Sequence, residues 1–402
     1  MEATDTSIDC RHSHLKKDQH MPNPSRISDI DLDAAPLCVV ITAHDMEDCL
    51  EASLESLSAQ TLKNFRAIII EDGSSDATGQ IADQFAARDP RFEAHHTSNL
   101  RAAGARNYGI ALVREPAFMV LDGDDIFHPT LLERLHNALQ QNNADIALCN
   151  IDQFDHATGS HEETPWALKI SQLPTDHDVC SWQDLPGNIF AAFMGWPWDK
   201  IYRTAFVRDH GLAFPEDLPN SEDMLFTYQA LVLARRIAVV RDVLISHRVG
   251  RGGSVSNSRA KAPLAFYDAL CRMKEFLQNQ TDDAWSHLQR HYLNWAFDWT
   301  LWNIENMEND QIRTELASLL AKNEFLALEL AEHEPVYFTE YPRSMARYAS
   351  ILNDVLPNQA NDGPLGPLNA LPYGKFKPWC QANAFEKLTI RHRMRRRKPS
   401  EW

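Results

Sequence analysis

Short apolar runs recur along the first third of the chain, and polar residues follow each of them. The runs cover residues 37–43, 65–70, 118–121 and 146–149. Near-continuous apolar runs of this length are typical of parallel strands that helices cover on both faces. Because these runs alternate with helical patterns, the chain predicts an α/β fold with a doubly wound, mainly parallel sheet.

The segments between these runs carry apolar residues at helical spacing. Helices are predicted for residues 47–60, 77–87 and 104–113, and a short strand is predicted for residues 95–99. The leucines that mark the first helix are Leu50, Leu54 and Leu57. Right-handed crossovers then place the ends of the strands on one edge of the sheet.

After residue 151 the chain contains a polar stretch and one further strand, and then it changes to a helical pattern. Residues 152–181 are polar and contain prolines, which indicates an insertion or a variable lid, and residues 238–245 are predicted as an edge strand. From Pro263 onward the spacing predicts helices, including one over residues 316–330. One helical face carries Trp295, Trp299 and Trp302. We interpret that face as core or as an inter-domain contact.

Composition excludes several classes of protein. The 402 residues include 39 Lys and Arg against 56 Asp and Glu, and the net charge of −17 at pH 7 argues against general nucleic-acid binding. No segment approaches the roughly 20 consecutive apolar residues that cross a bilayer, and the amino terminus lacks the apolar region of a secretory signal. The seven cysteines are scattered and form no CxxC pair, which indicates reduced thiols and a cytoplasmic protein.

Acidic residues stand directly after two of the predicted strands. Glu71 and Asp72 end one apolar run, and Asp122, Asp124 and Asp125 end another. Ligands of open α/β sheets bind at the carboxyl ends of the strands. Carboxylates that repel one another there are stabilised by a hard divalent cation with oxygen ligands. The alternative is an acidic, solvated turn.

Four segments occur in an order and spacing that resemble a known family. They are residues 39–45, Glu71-Asp72-Gly73-Ser74-Ser75-Asp76, Ala105-Arg106-Asn107 and Asp122-Gly123-Asp124-Asp125. Over about residues 37–135 the chain resembles the nucleotide-sugar-binding half of the inverting family-two glycosyltransferases, which have the GT-A fold. Glu71 stands where many members have Asp, which is a mild departure.

The resemblance implies which residues bind the sugar donor. The residues that hold the nucleoside are Thr42, Ala43, His44, Asp45 and Asp72. Arg106 lies near the base and the diphosphate, Asp122 faces the ribose and the metal, and Asp124 binds the metal, commonly Mn²⁺ or Mg²⁺. A divalent cation suits this reaction because it neutralises the departing diphosphate. The alternative for Arg106 is a surface arginine on a helix.

A Gly-rich stretch follows the strand predicted at residues 238–245. Arg248 and Arg251 lie in it, and its composition suits a flexible clamp that closes over the diphosphate. His247 in the same stretch is either a late metal ligand or a structural histidine.

The acceptor side of the chain contains a second set of family-like segments. The sequence Trp198-Asp199-Lys200-Ile201-Tyr202 is similar to a Trp-x-Lys-Leu-Tyr-like segment of the family, and an acidic pair, Glu222-Asp223, follows it. An inverting transfer needs a base for the acceptor hydroxyl. By the resemblance this base is Asp223, with Glu222 as second choice, and the alternative is that both acids only cap a helix. Trp196 and Trp198 either stack on a sugar or belong to the core.

These features predict a metal-dependent inverting glycosyltransferase. Its donor is a nucleotide-diphosphate sugar, a UDP-sugar by preference, and its acceptor is a glycan or a lipid-linked chain in cell-surface polysaccharide synthesis, as the resemblance implies. One alternative is a sugar-nucleotide-binding scaffold without catalysis. The other is an Asp-x-Asp phosphatase, which would need Thr soon after the second Asp, where this chain has Asp125-Ile126.

The predicted organisation of the chain has four parts. They are a disordered leader (1–36), a GT-A glycosyltransferase domain (37–258) with a donor half (37–135) and an acceptor half (136–258), a helical C-terminal domain (259–390) with a loop at 357–378, and a basic tail (391–402). The tail is either a disordered soluble segment or a peripheral contact with anionic lipids at the inner face of a membrane.

Overall fold

The computed structural model describes residues 35–175, 178–185, 189–251, 259–280, 284–321 and 343–355, together with residues 328, 338 and 340. The strands are β1 (Leu37–Ala43), β2 (Arg66–Glu71), β3 (Phe92–His96), β4 (Ala117–Asp122), β5 (Ile126–Phe127), β6 (Ile146–Asp155), β7 (His161–Glu163), β8 (Val179–Cys180), β9 (Lys200–Arg203) and β10 (Ile237–Val249). The helices are α1 (Leu50–Ser58), α2 (Thr78–Arg88), α3 (Arg101–Ala111), α4 (Leu131–Gln141), α5 (Ile189–Ala192), α6 (Thr204–Asp209), α7 (Glu222–Leu233), α8 (Ala265–Gln278), α9 (Ala284–Glu305), α10 (Asp310–Ala321) and α11 (Ser344–Val355).

One mixed sheet forms the centre of the fold, with the strand order β3-β2-β1-β4-β9-β6-β10-β5. The pairs β1–β2, β1–β4, β2–β3 and β6–β10 are parallel, whereas β9 runs antiparallel to both of its neighbours. Helices flank the sheet, and further helices follow it along the chain. The predicted fold class, a mainly parallel sheet of GT-A type with a helical C-terminal region, is therefore confirmed.

The central strands are apolar on both faces because each face packs against a different core. Along β1, Val39 and Ile41 belong to one hydrophobic cluster, whereas Cys38 and Val40 belong to the other. Burial on both sides explains why these strands read as continuous apolar runs in the sequence.

The parallel register brings the strand ends together at one edge. Thr42 at the end of β1 lies beside Asp122 at the end of β4, and Ala43 lies beside Glu71 at the end of β2. The loops that follow these strands therefore start side by side, as the sequence predicted. This edge carries the candidate site.

Two strand predictions need correction. The third strand is β3, Phe92–His96, and not residues 95–99, because Phe92 supplies the buried anchor against α2 and Asn99 already has a positive φ of 54°. The stretch predicted as an edge strand at 238–245 is an edge only in part, because residues 239–244 pair with β6 alone, whereas β8 and β5 pair with the two ends. Register shifts between Val240 and Ile245 turn its charged residues outward, which gave the sequence its edge-like pattern.

The C-terminal helices pack on the face of the sheet that also carries α7. Residues of α8, α9 and α10 share one hydrophobic cluster with Met224 and Tyr228 of α7. Trp295, Trp299 and Trp302 stack in succession along α9, with ring centroids 6.2 and 4.9 Å apart, and Trp295 is buried in this core.

Several features predicted from the sequence lie outside the described residues. They are residues 1–34, the Gly-rich residues 252–258, most of 322–330, the loop at 357–378 and the basic tail. Within the described part of the chain, no helix is both long and apolar enough to cross a bilayer. The five cysteines described there are free thiols.

Candidate active site

The turn after β4 is packed directly against β1. The backbone N–H of Gly123 donates to the carbonyl oxygen of Thr42 over 3.0 Å. A Cβ atom at position 123 would lie 3.0 Å from that same oxygen and 3.1 Å from Cδ1 of Leu50. Only glycine fits this contact without displacement, so the turn holds Asp122 and Asp124 at a fixed position beside Thr42.

Asp124 lies in a cluster of carboxylates that repel one another. Its side chain is 15% exposed, and that of Asp122 is 22% exposed. Burial, followed by the charges of Asp125 and Asp122, raises the pKa of Asp124 to about 7. Nε of Arg251 lies 3.4 Å from Oδ2 of Asp124, without hydrogen-bond geometry. An additional cation would relieve the remaining repulsion.

Asp125 connects the turn to β10. It is fully buried, and its Oδ1 accepts from Nδ1 of His247 and from the backbone N–H of Arg248, each over 2.9 Å. Burial alone would lower the pKa of His247, but the charge and hydrogen bond of Asp125 and the charge of Asp124 raise it to about 9. Oδ2 of Asp125 is buried without a partner among the described residues.

The donor atoms of this turn fit a hard divalent cation. Asp122 and Asp124 offer carboxylate oxygens that remain partly exposed. The described residues contain no group of three or more His, Cys, Asp or Glu that could hold a metal by itself. Mg²⁺-type ions commonly bind through one or two carboxylates and complete their coordination with substrate phosphates. The site therefore suits an ion that binds together with a phosphate ligand.

The segments after β1 and β2 hold each other in place. The backbone N–H of Asp72 donates to the carbonyl oxygen of Ala43 over 2.9 Å, and Nδ1 of His44 lies 2.8 Å from the carbonyl oxygen of Asp72. The backbone N–H of Asp45 donates to Oγ of Ser74 over 3.1 Å. Asp45 has a positive φ of 49°, which turns the chain back toward β2.

Asp72 is buried and uses only one of its carboxylate oxygens in the described structure. Oδ1 accepts from Oγ1 of Thr97 and from the backbone N–H of Leu100, each over 2.6 Å. No described residue bonds to Oδ2. These bonds fix the side chain and leave one oxygen for a ligand, as the predicted nucleoside contact requires.

Arg106, on α3, connects the end of β4 to the start of α7. Its Nη2 donates to Oδ1 of Asp122 over 3.0 Å, and its Nη1 donates to Oε1 of Glu222 over 2.9 Å. Arg106 is 7% exposed, so the alternative of a surface arginine is wrong. Because carboxylates occupy both terminal nitrogens, the predicted contact with the base and diphosphate stays a prediction.

Asn107, which the sequence singled out only as part of a motif, fastens α3 to the acceptor half. Its Oδ1 accepts from the backbone N–H of Phe214 over 2.9 Å, and its Nδ2 donates to the carbonyl oxygen of Phe214 over 2.8 Å. Nδ2 also donates to Glu216 over 3.0 Å. No local pattern marks this pairing, because Asn107 and Phe214 are 107 residues apart in the chain.

The two acids at the start of α7 have different environments. Glu222 is buried against Arg106, whereas Asp223 is half-buried and has only the backbone N–H of Met224 as a described hydrogen-bond partner. Burial, followed by the charge of Glu222, raises the pKa of Asp223 to about 7. Of the pair, Asp223 is the one whose carboxylate is available to a ligand.

The segment before β9 is built around a buried lysine. Lys200 is fully buried, and its Nζ donates to the carbonyl oxygens of Met194 and Trp196 and to Oδ1 of Asp199, over 3.1, 2.8 and 2.5 Å. A Cβ at Gly195 would lie 2.8 Å from the Tyr228 ring. The lysine and the glycine therefore hold this segment tightly against α7.

The tryptophans of this segment differ in burial. Trp198 is 4% exposed and belongs to the core, whereas Trp196 is half-buried. Their rings stack with centroids 4.8 Å apart, and His247 stacks on Trp198 at 4.9 Å. The core interpretation thus holds for Trp198, and Trp196 retains an accessible surface.

The arginines at the end of β10 contact the acidic turn. Nε of Arg248 donates to the carbonyl oxygen of Asp124 over 2.6 Å, and its guanidinium lies over Phe154 at 4.4 Å. Nη1 of Arg251 donates to the carbonyl oxygen of Asp45 over 2.8 Å. Both arginines lie beside the predicted diphosphate position, and their contact with a diphosphate stays a prediction.

Comparison with known proteins decides the family. Residues 38–194 match the family model described as glycosyl transferase family 2. This domain belongs to glycosyltransferase family 2. The predicted family and enzyme class are therefore confirmed, and the family 2 match extends beyond the resemblance seen at residues 37–135.

Curated relatives and a solved structure agree with this assignment. The putative glycosyltransferase EpsH of Bacillus subtilis is 27% identical over 242 residues, which are 59% of this chain and 68% of EpsH. The poly(ribitol-phosphate) beta-N-acetylglucosaminyltransferase TarS of Staphylococcus aureus is 24% identical over 235 residues, which are 58% of this chain and 39% of TarS. The crystal structure of S. aureus TarS 1–349 in complex with UDP-GlcNAc has a TM-score of 0.57 at 18% identity, covering 78% of this chain and 90% of that chain. The structural likeness shows a shared fold.

Proposed function

We propose that this chain is a metal-dependent inverting glycosyltransferase. It transfers a sugar from a nucleotide-diphosphate donor to a hydroxyl group of a glycan or lipid-linked acceptor. The observation that carries this proposal is the Arg106 bridge, which joins Asp122 at the acidic strand edge to Glu222, the neighbour of Asp223. Donor-side and acceptor-side carboxylates therefore belong to one site.

The donor lies at the edge formed by β1, β2 and β4. Residues 42–45 and the open oxygen of Asp72 hold the nucleoside, which fits the way these loops are bonded to each other. Asp124 and Asp122 would hold a Mn²⁺ or Mg²⁺ ion, whereas His247 is bonded to Asp125 and forms no three-ligand group with them. When bound, such an ion neutralises the charge of the departing diphosphate. Arg248 and Arg251 add positive charge beside it.

Asp223 acts as the base on the acceptor side. It takes the proton of the acceptor hydroxyl while that oxygen bonds to the anomeric carbon, and the bond from that carbon to the diphosphate breaks on the opposite face. This geometry inverts the anomeric centre. A base whose pKa lies near 7 is well matched to neutral pH. Glu222, bonded to Arg106, is less suited to this role because its charge is already paired.

The relatives support a donor nucleotide and an acceptor class. S. aureus TarS was crystallised with UDP-GlcNAc and is named as a transferase acting on poly(ribitol-phosphate). We therefore favour a UDP-sugar donor and a cell-surface polymer acceptor for this chain. Cytoplasmic location, and peripheral membrane contact through the basic tail, belong to the same proposal, as does a boundary near residue 258 between the transferase and helical domains.

Calorimetry with UDP in the presence and absence of MnCl₂ tests the donor site. We expect wild type to bind UDP with Mn²⁺, and Asp124→Ala to lose the metal-dependent part of this binding. Asp310→Ala, which removes an exposed carboxylate on α10, is the matched control and should bind as wild type does. Absence of UDP binding by wild type with Mn²⁺ would refute the proposal for this nucleotide.

A second measurement separates binding from catalysis. Asp223→Asn keeps the shape of the side chain but removes its basicity, so it should bind UDP and Mn²⁺ normally and lose transfer. We expect kcat to fall by about 10²–10⁴-fold, the usual contribution of a general base. Turnover equal to wild type would exclude Asp223 as the base. Nucleotide binding by wild type without transfer from any donor would instead favour a binding scaffold.

A further inference from the structure

One tryptophan beside the candidate site is exposed to solvent. Trp166 lies between β7 and α5 in the chain and is 42% exposed. Its ring meets that of Trp196 edge to face, with centroids 5.5 Å apart. Single exposed apolar side chains are ordinary, whereas contiguous exposed apolar patches mark ligand-binding grooves and interaction sites.

Trp166 is the outer end of an aromatic row that starts at the acidic turn. Asp125 bonds to His247, His247 stacks on Trp198 at 4.9 Å, and Trp198 stacks on Trp196 at 4.8 Å. The row therefore leads from the buried carboxylate cluster to the surface in ring-to-ring steps of 4.8–5.5 Å.

The backbone that carries Trp166 and Trp196 is held firmly. The carbonyl oxygen of Trp196 accepts from the buried Nζ of Lys200. On the other segment, Oγ1 of Thr164 donates to the carbonyl oxygen of Ile151 over 2.5 Å. The backbone N–H of Ala167 also donates to the carbonyl oxygen of Thr164 over 2.9 Å. Trp166 thus projects from a fixed segment.

The position of the row favours the acceptor side of the site. A Cβ at Gly195, next to Trp196, would lie 3.2 Å from the Cα atom of Met224, which follows Asp223 in α7. The segment that carries Trp196 therefore packs against the start of the helix that carries the proposed base, and a ligand on Trp166 and Trp196 would lie near that helix.

We propose that Trp166 and Trp196 form a subsite for a sugar ring of the acceptor, beyond the sugar whose hydroxyl reacts. One face of a pyranose ring carries mainly C–H groups and packs on an aromatic ring, whereas the edges of indole can hydrogen-bond to hydroxyls. The indole N–H of Trp166 has no partner among the described residues. The inference rests on the proposed function and specifies it: the acceptor is an oligosaccharide or polysaccharide and not a single sugar.

Saturation-transfer NMR and calorimetry with defined tetrasaccharides test this subsite in the full chain. The probes are cellotetraose, chitotetraose and maltotetraose, each with UDP and Mn²⁺ present. The variants are Trp166→Ala and Trp166→Phe, and Ile170→Ala is the control because Ile170 is apolar, 47% exposed and in the same segment. UDP binding is measured on the same samples.

We expect at least one tetrasaccharide to bind wild type and Ile170→Ala equally. Trp166→Ala should weaken that binding about tenfold, and Trp166→Phe should weaken it less, while UDP binding stays unchanged. Equal oligosaccharide affinity of wild type and Trp166→Ala, or binding of none of the three probes, overturns the subsite. Loss of UDP binding in wild type would instead overturn the proposed function, so the two failures are distinguishable.

Discussion

Replacement of Arg106 by methionine tests the bridge between the two halves of the site. Methionine keeps an unbranched side chain of similar length but lacks the guanidinium that bonds to Asp122 and Glu222. Glu222 is buried, so its carboxylate would be left without a cation and without contact with water. The thioether of the new side chain cannot donate to either acid, and the carboxylates of the site would then repel one another.

The expected magnitude follows from the two bonds and the burial. A hydrogen bond to a charged group contributes about 1.5–3 kcal/mol, and removal of one partner of a buried ion pair costs about 3–5 kcal/mol. We therefore expect Arg106→Met to lower the free energy of unfolding by about 3–5 kcal/mol at pH 7.

Urea denaturation followed by circular dichroism at pH 7 measures this effect. Arg66→Met is the matched control, because Arg66 is also buried and paired with two carboxylates, Glu93 and Glu115. It lies at the start of β2, away from the carboxyl ends of the strands that form the candidate site. Both variants should lose stability, and only Arg106→Met should impair transfer by the folded enzyme. A loss of stability below about 1 kcal/mol would refute the reasoning about the buried bridge.

Three further outcomes follow from the structure. The rate of transfer should rise with pH through about 7, since Asp223 must lose its proton to act as a base, and a pH profile of kcat measures this limb. Burial would raise the pKa of Asp89, but hydrogen bonds from Arg91 and its charge lower that pKa below the unfolded value. The stability that this carboxylate contributes is therefore present above the unfolded pKa and is lost on acidification. Asp89→Asn should lower the free energy of unfolding by about 1.5–3 kcal/mol at pH 7, and urea denaturation should show that this loss shrinks toward pH 3. Gly195→Ala should lower kcat while UDP affinity is unchanged, because its Cβ would press on the Tyr228 ring and shift α7, as steady-state kinetics and UDP titration would show.

The sequence predicted the donor half well because its signals are local. The apolar runs of β1 and β4 are buried on both faces, and the acidic residues that follow them stand in the same short segments. A parallel sheet then brings these segments to one edge without further information. Fold, family and the placement of Asp122 beside Thr42 were therefore accessible from the printed residues.

The contacts that join the halves could not be predicted in this way. Arg106 meets Glu222 across 116 residues, and Asp125 meets His247 across 122 residues, and nothing in the local pattern of either segment identifies its partner. The strands that pair with the two ends of β10 could not be predicted for a related reason, since β8 and β5 come from other segments of the chain. The buried state of Lys200 was equally hidden, because its partners are mostly backbone carbonyls.

The packing of α7 against α9 affects how such an enzyme can diverge in evolution. Tyr228 belongs to the helix that carries Asp223, and its ring centroid lies 4.7 Å from that of Trp295. The ring centroid of Phe190 lies 5.3 Å from that of Trp295. Substitutions in the C-terminal helices can therefore tilt the helix that carries the acid without altering any residue that touches a sugar. Evolution could retune the choice of acceptor from this remote layer while the nucleotide edge stays unaltered.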